Sequence, residues 1–241
     1  MICWICNAKD ATSREHKIKK SDLKSSSKSI SQDAPLYYNE FNNTENKKTI
    51  RNKRIGSFNA DILKFEHYIC HHCNTTRTQL HDRAWETFSR NICLKITLLK
   101  STTQQIRFNK IFPYNTRYNM LNVHLYFVKL FGCRIMENNL KSTQKIPLDI
   151  SSFSKSILNG KAHQHLYLSF KYNSNPDCIA GHSQIEAAIN SNNQFAFGVW
   201  FYDIGQLRVS VMYALPEEKR EGLKTSWNPK FGYKRFTIEK I

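Results

Sequence analysis

The residue types that could do chemistry in this chain are two short cysteine pairs, an acid–histidine doublet and an asparagine. Cys3–Cys6 in "MICWIC" and Cys70–Cys73 in "CHHC" each place two thiols at i and i+3. A tight turn of that kind lets both sulfurs reach one tetrahedral ion, and a second pair completes the shell. A closed four-thiolate Zn2+ site leaves no open position, so it is structural, and in a small module it supplies much of the folding free energy. A redox role would place a CxxC in the strand-to-helix turn of a βαβ unit, and neither pair has that setting. His71 and His72, inside the second pair, are expected to face solvent. Cys93, Cys133 and Cys178 have no partner in sequence and are expected to be buried thiols.

Glu15–His16 would mean little alone. If zinc ties the two cysteine pairs together, however, the doublet is held near Asn74, which directly follows Cys73. The pocket then contains an imidazole able to activate water near neutral pH, a carboxylate, and an amide oxygen at a helix start. Phosphodiester hydrolysis needs such a base. It also needs a hard divalent cation, Mg2+ or one such as Mn2+, on oxygen or nitrogen ligands to neutralise charge at phosphorus.

The elements that must position these groups can be read from periodicity. "ILKFEHYI" alternates as a short strand running into the second CxxC, and "NTTRTQLHDRAWETFSRNI" repeats Leu80, Ala84, Trp85, Phe88 and Ile92 at helical spacing. The spacing predicts a helix beginning near Cys73–Asn74. Residues 20–55, rich in Ser, Lys and Asn, show no sustained apolar period and read as a basic loop insertion, with "APLYY" as its one anchor. Farther on, "NMLNVHLYFVKLFGCRIMENN" and "LDISSFSKSIL" read as helices, the second capped by Asp149 and stopped by Gly160. "HQHLYLSFKY" reads as a strand, and "QFAFGVWFYDIGQLRVSVMYAL" as a hairpin turning at 203–205. The expected class is α+β: a module over 1–92, then a mixed α/β domain over 93–241 of unassigned role, open to substrate recognition, homodimer formation, contact with a partner protein, or sensing.

Charge narrows the partners. Thirty-six Lys and Arg against 19 Asp and Glu give a formal net charge of +17 over 241 residues, a surplus that calls for a polyanion, most often nucleic acid. Lys17, Lys19, Lys20 and Lys24, with the cluster Lys47, Lys48, Arg51, Lys53 and Arg54, flank the doublet and are expected to neutralise phosphates without reading bases. No apolar run reaches the ~18–20 residues of a membrane span, and the N-terminus lacks the pattern of a secretory signal, so a cytoplasmic location is expected.

The string CxxC…"SREH"…CxxCN followed by "TTRTQLHDRAW" resembles the zinc-stapled branch of the HNH endonucleases, whose fold is the ββα-metal module. The resemblance covers roughly residues 1–92. It implies that His16 is the general base, that Glu15 and Asn74 are ligands of the catalytic divalent metal, and that Arg77 faces the same pocket and holds a phosphate. Thr78 and His81 would share that face. It also implies a middle asparagine bracing the base, for which Asn59 is the first candidate and Asn52 the second. The substrate class implied is DNA, with restriction or anti-phage defence as the family-level setting. A non-catalytic zinc-ribbon nucleic-acid binder is the competing reading: it keeps the cysteines and the charge and treats Glu15–His16 as incidental. A redox or zinc-storage protein leaves the charge without a role.

Overall fold

The first cysteine turn is closed by its own backbone. The Cys3 N–H donates to the Lys9 carbonyl and the Asn7 N–H to the Cys3 carbonyl, with Asn7 at a φ of 50°, a left-handed conformation that asparagine tolerates. In the computed structural model the described residues are 1–26, 30–31, 33, 35–40, 50–99, 102–173 and 180–241. After the turn come strand β1 (Ser13–His16) and helix α1 (Lys20–Ser26). Strands β2 (Leu36–Glu40) and β3 (Ile50–Ile55) then pair antiparallel, Leu36 opposite Ile55. Strand β4 (Lys64–Ile69) returns antiparallel to β1, and the Trp4 N–H donates to the Tyr68 carbonyl, joining the first cysteine turn to the end of β4. A π-helical turn, Cys73–Arg77, leads into helix α2 (Gln79–Ile96).

The remainder is built on strand β5 (Thr103–Arg107), helix α3 (Thr116–Lys141), helix α4 (Ser151–Asn159) and strands β6 (Leu166–Tyr172), β7 (Gly181–His182), β8 (Glu186–Ile189), β9 (Phe195–Ile204), β10 (Leu207–Ala214) and β11 (Arg235–Lys240). These strands form one sheet in the order β5-β11-β6-β10-β9-β7, with β8 also on β9, and only β6 and β11 run parallel. In β9, Trp200, Tyr202 and Ile204 alternate inward against half-exposed Phe201 and Asp203, the period-2 pattern of a sheet covered on one face. The chain is thus α+β, as its patterning predicts. Helix α4 ends at Gly160, at a φ of 59°, and Asp149 Oδ1 accepts from the Ser151 N–H at its start.

Two expectations need correction. The segment 20–55 is more than a loop: α1 and the β2–β3 hairpin lie within it. Asp22 of α1 is buried and accepts from Trp85 Nε1 (2.7 Å), Tyr202 Oη (2.7 Å) and Ser89 Oγ (3.0 Å), so this segment is fastened to both α2 and the sheet. The boundary placed at residue 92 falls inside α2, whose Trp85 stacks on Tyr126 (5.4 Å) and meets Tyr202 edge-on (5.5 Å). The two halves therefore share one hydrophobic core. Within α2, Leu80 faces solvent at 49% exposure and His81 takes its place inside.

Helix α3 is buried on nearly all sides between Met120 and Glu137, the pattern of a central helix. Trp4 from the first cysteine turn lies against it: a Cβ added to Gly132 would come within 2.5 Å of the Trp4 ring. Gly132→Ala is expected to cost about 1–3 kcal/mol by forcing the indole aside, read as a lower midpoint in denaturant unfolding. An unchanged midpoint would contradict this packing. Among the described residues no helix is long and apolar enough to cross a membrane.

Candidate metal centre and candidate active site

The sulfurs of Cys3, Cys6, Cys70 and Cys73 all lie within 4.8 Å of one another, and Cys6 Sγ and Cys70 Sγ are 3.9 Å apart. A tetrahedral ion with Zn–S bonds of ~2.3 Å sets its sulfurs ~3.8 Å apart, so the cluster has the size and donor set of a structural zinc site. Backbone and side-chain N–H groups point at the sulfurs. The Cys73 N–H donates to Cys70 Sγ (3.4 Å) and Arg77 Nη1 to Cys73 Sγ (2.9 Å). Burial opposes ionisation of Cys6, but the Ala8 backbone N–H and the neighbouring thiols outweigh it and bring its pKa down to about 6. At Cys73 burial dominates and pushes the thiol up, so metal binding there releases a proton.

Beside this cluster, β1, α1 and the start of α2 enclose a cleft of about 410 Å³, lined among others by Glu15, His16, Lys19, Lys20, Asn74 and Asp82. The structure thus brings the imidazole of residue 16 and the amide of residue 74 to one cleft from sequence-distant elements. The β1–β4 ladder is irregular on both sides of Arg14, pairing Arg14 with His67 and His16 with Lys64. Irregularities of this kind re-aim side chains, and here both Glu15 and His16 reach the cleft.

His16 accepts nothing at Nε2, which is buried and has no partner among the described residues. The Phe58 backbone carbonyl beside the ring favours its protonated form, against the larger effects that follow. Burial, then the charges of Lys64, Lys19 and Lys20, push its pKa down to about 4, so the ring is neutral at pH 7. Asn74 Nδ2 donates to Ser13 Oγ (2.9 Å), and nothing among the described residues donates to its amide oxygen. Glu15 is buried and one of its oxygens is occupied: Lys129 Nζ of α3 lies 2.9 Å from Glu15 Oε2 and 2.8 Å from Asp82 Oδ1. Burial opposes the charge on Lys129, but Asp82 and Glu15 outweigh it and hold its pKa above the ordinary lysine value. Burial pushes the Glu15 carboxyl up while Lys129 pulls it down.

Several expected site residues stand elsewhere. Arg77 turns onto Cys73 and is not among the cleft-lining side chains. Thr78 is fully buried, donating to the Cys73 and Asn74 carbonyls (2.9 and 3.1 Å), and His81 is held by Asn122 of α3 (2.7 Å). The cause is the π-helical turn: it inserts a residue into the helical period, so the face continuing from Asn74 carries Gln79, Asp82, Arg83 and Glu86. Asn59 is exposed and accepts from Lys20 Nζ (2.9 Å), and among the described residues no hydrogen bond joins it to His16, so it does not brace the base. Lys17 is buried and paired with Glu137 (3.1 Å), which removes it from any phosphate-facing surface. Lys19 and Lys20 line the cleft, Lys19 between Asp82 (3.4 Å) and Glu86 (3.5 Å). Lys53 and Arg54 are exposed on β3. Lys47, Lys48 and Cys178 lie outside the described residues, as do the side chains of Arg51 and Asn52. His71 and His72 face solvent.

The sequence reading missed Asp82 and Lys129. A signal for the second was present, a single lysine inside the apolar run "YFVKLF". Comparison with protein-family models, with curated proteins and with solved structures returns no match.

Proposed function

We propose that the chain is a zinc-stabilised, divalent-metal-dependent endonuclease of the HNH type that hydrolyses DNA phosphodiester bonds. The observation that carries the reading is the buried, partnerless Nε2 of a neutral His16 in the same cleft as Asn74. His16 takes the proton of a water whose oxygen attacks phosphorus, while the phosphorus–oxygen bond to the leaving sugar breaks. Lys19 and Lys20 receive the phosphate, and exposed Lys53 and Arg54 of β3 are further cations for the backbone.

Carboxylate and amide oxygens suit a hard cation such as Mg2+ or Mn2+, and Glu15 and Asn74 are the residues that would hold it. Bound there, it would supply Lewis acidity toward the developing phosphate charge. The ion pair of Glu15 with Lys129 favours a second reading, a basic zinc-bearing binder without catalysis, because that pair alone accounts for a buried glutamate at this position.

Supercoiled plasmid incubated with the full chain is expected to be nicked with Mg2+ or Mn2+ and to stay intact in EDTA. Binding of duplex DNA is expected to weaken roughly 100-fold between 50 and 200 mM salt for about four phosphate contacts. No nicking with any divalent ion, or an affinity indifferent to salt, would leave the first reading without support.

A further inference from the structure

A second cavity, of about 680 Å³, opens between the start of α3, the end of β5 and the segment before β11. Its walls carry four cations, Arg107, Arg117, Lys234 and Arg235, all exposed, and among the described residues no acidic side chain lines it. Among the described residues, the one side-chain bond found for these cations is neutral, from Arg235 Nη1 to Gln105 Oε1 (2.7 Å). Four positive charges therefore converge with no acidic side chain in the described lining.

The floor between them is aromatic. Trp227 meets Phe108 edge-on (5.3 Å, 67°), and Phe108 stacks on Phe236 (5.6 Å, 18°), so the ring positions are fixed by packing. Tyr233 is exposed at the mouth, next to Gly232, whose φ of 67° and lack of a side chain leave the entrance open. Exposed Tyr118 adjoins Arg117 on α3.

Exposed Tyr233, set over this buried aromatic floor among cations with no acidic side chain in the described lining, matches a nucleotide, base on the tyrosine ring and phosphate on cation. The volume is of the class that holds a small ligand and exceeds what packing defects leave. From this juxtaposition we infer that the cavity is a nucleotide-binding site taking an unstacked nucleotide of a nucleic-acid strand. It is separate from the His16 cleft. Arg117 and Lys129, which underlies that cleft, are ~18 Å apart along α3 at 1.5 Å per residue.

The test is fluorescence anisotropy of a labelled single-stranded oligonucleotide with the full chain in EDTA, where cleavage plays no part. Arg117→Glu is expected to weaken binding tenfold or more, and Tyr233→Ala by about 5- to 100-fold, the range of one lost base–aromatic stack. Tyr233→Phe and the exposed Lys155→Glu on α4 are expected to bind like the parent. Both informative positions are exposed, and parental unfolding curves will show that the variants fold. Binding within twofold of the parent for Arg117→Glu and Tyr233→Ala overturns the inference. So does displacement of the strand by poly-glutamate as effective as by unlabelled strand, which would mark a peptide site. Equal displacement by a free nucleoside monophosphate would overturn it in favour of a small-molecule site. A nuclease assay that fails leaves all these readings unaffected.

Discussion

Cys70→Ser is expected to lose bound zinc and to unfold the chain at room temperature. Structural zinc sites contribute about 10–16 kcal/mol of apparent binding free energy, against a total domain stability of about 5–15 kcal/mol. Cys70 is buried between the two turns, with its sulfur 3.9 Å from Cys6 and receiving the Cys73 N–H. Without the ion, buried thiols replace the staple that joins the N-terminal turn to the start of α2. The loss does not stay local, because Trp4 packs on Gly132 of α3 and the core is continuous with the sheet. Elemental analysis of zinc per chain, with a thermal unfolding curve, checks this. One zinc per chain and a parental midpoint in the variant would contradict the four-cysteine assignment.

Lys129→Met is expected to lower stability by about 3–5 kcal/mol at pH 7, the cost of breaking a buried ion pair from one side. The ammonium is fully buried and lies within 2.9 Å of two carboxylates, so removing it leaves buried Glu15 without its ion-pair partner beside Asp82, which keeps Lys19 at 3.4 Å. The pH dependence has a definite sign. In the parent the folded pKa of Lys129 is raised, so its contribution is complete below the ordinary lysine value of ~10.4 and is lost only as pH rises through the folded pKa. In the variant, the Glu15 carboxyl that burial already pushes up loses the ammonium that pulls it down. The variant therefore recovers relative to the parent as pH falls and Glu15 takes up a proton. Adding Glu15→Gln to Lys129→Met is expected to restore part of the loss, because it removes one orphaned charge. Denaturant midpoints from pH 4 to 8 measure all of this, and a deficit that does not change with pH would refute the buried-triad account.

Much of the framework is legible because local patterns decide it. The i, i+3 cysteines, the alternation in β9 and β10, and the Gly160 stop of α4 are each specified within a few residues. What the pattern misses is decided at long range. Helix α1 has the composition of a loop, yet buried Asp22 finds three donors on Trp85, Ser89 and Tyr202, none of them near it in sequence. Lys17 reads as a surface charge until Glu137 of α3 is placed beside it. The cleft's own face is misread by one residue, because periodicity assumes an α-helical start and the Cys73–Arg77 turn is wider. Glu15 and His16 are found by their neighbours in sequence; the lysine that binds Glu15 comes from a helix that the motif does not include.

The most direct measurement is the rate of plasmid nicking by the parent and by His16→Ala, at equal concentrations with Mg2+ or Mn2+ and at matched DNA occupancy. A positioned general base contributes about 10²- to 10⁴-fold, so the variant is expected to be slower by that factor while binding duplex DNA with a parental Kd. Equal rates for the two proteins would contradict the assignment of His16 as the group that takes the proton from water.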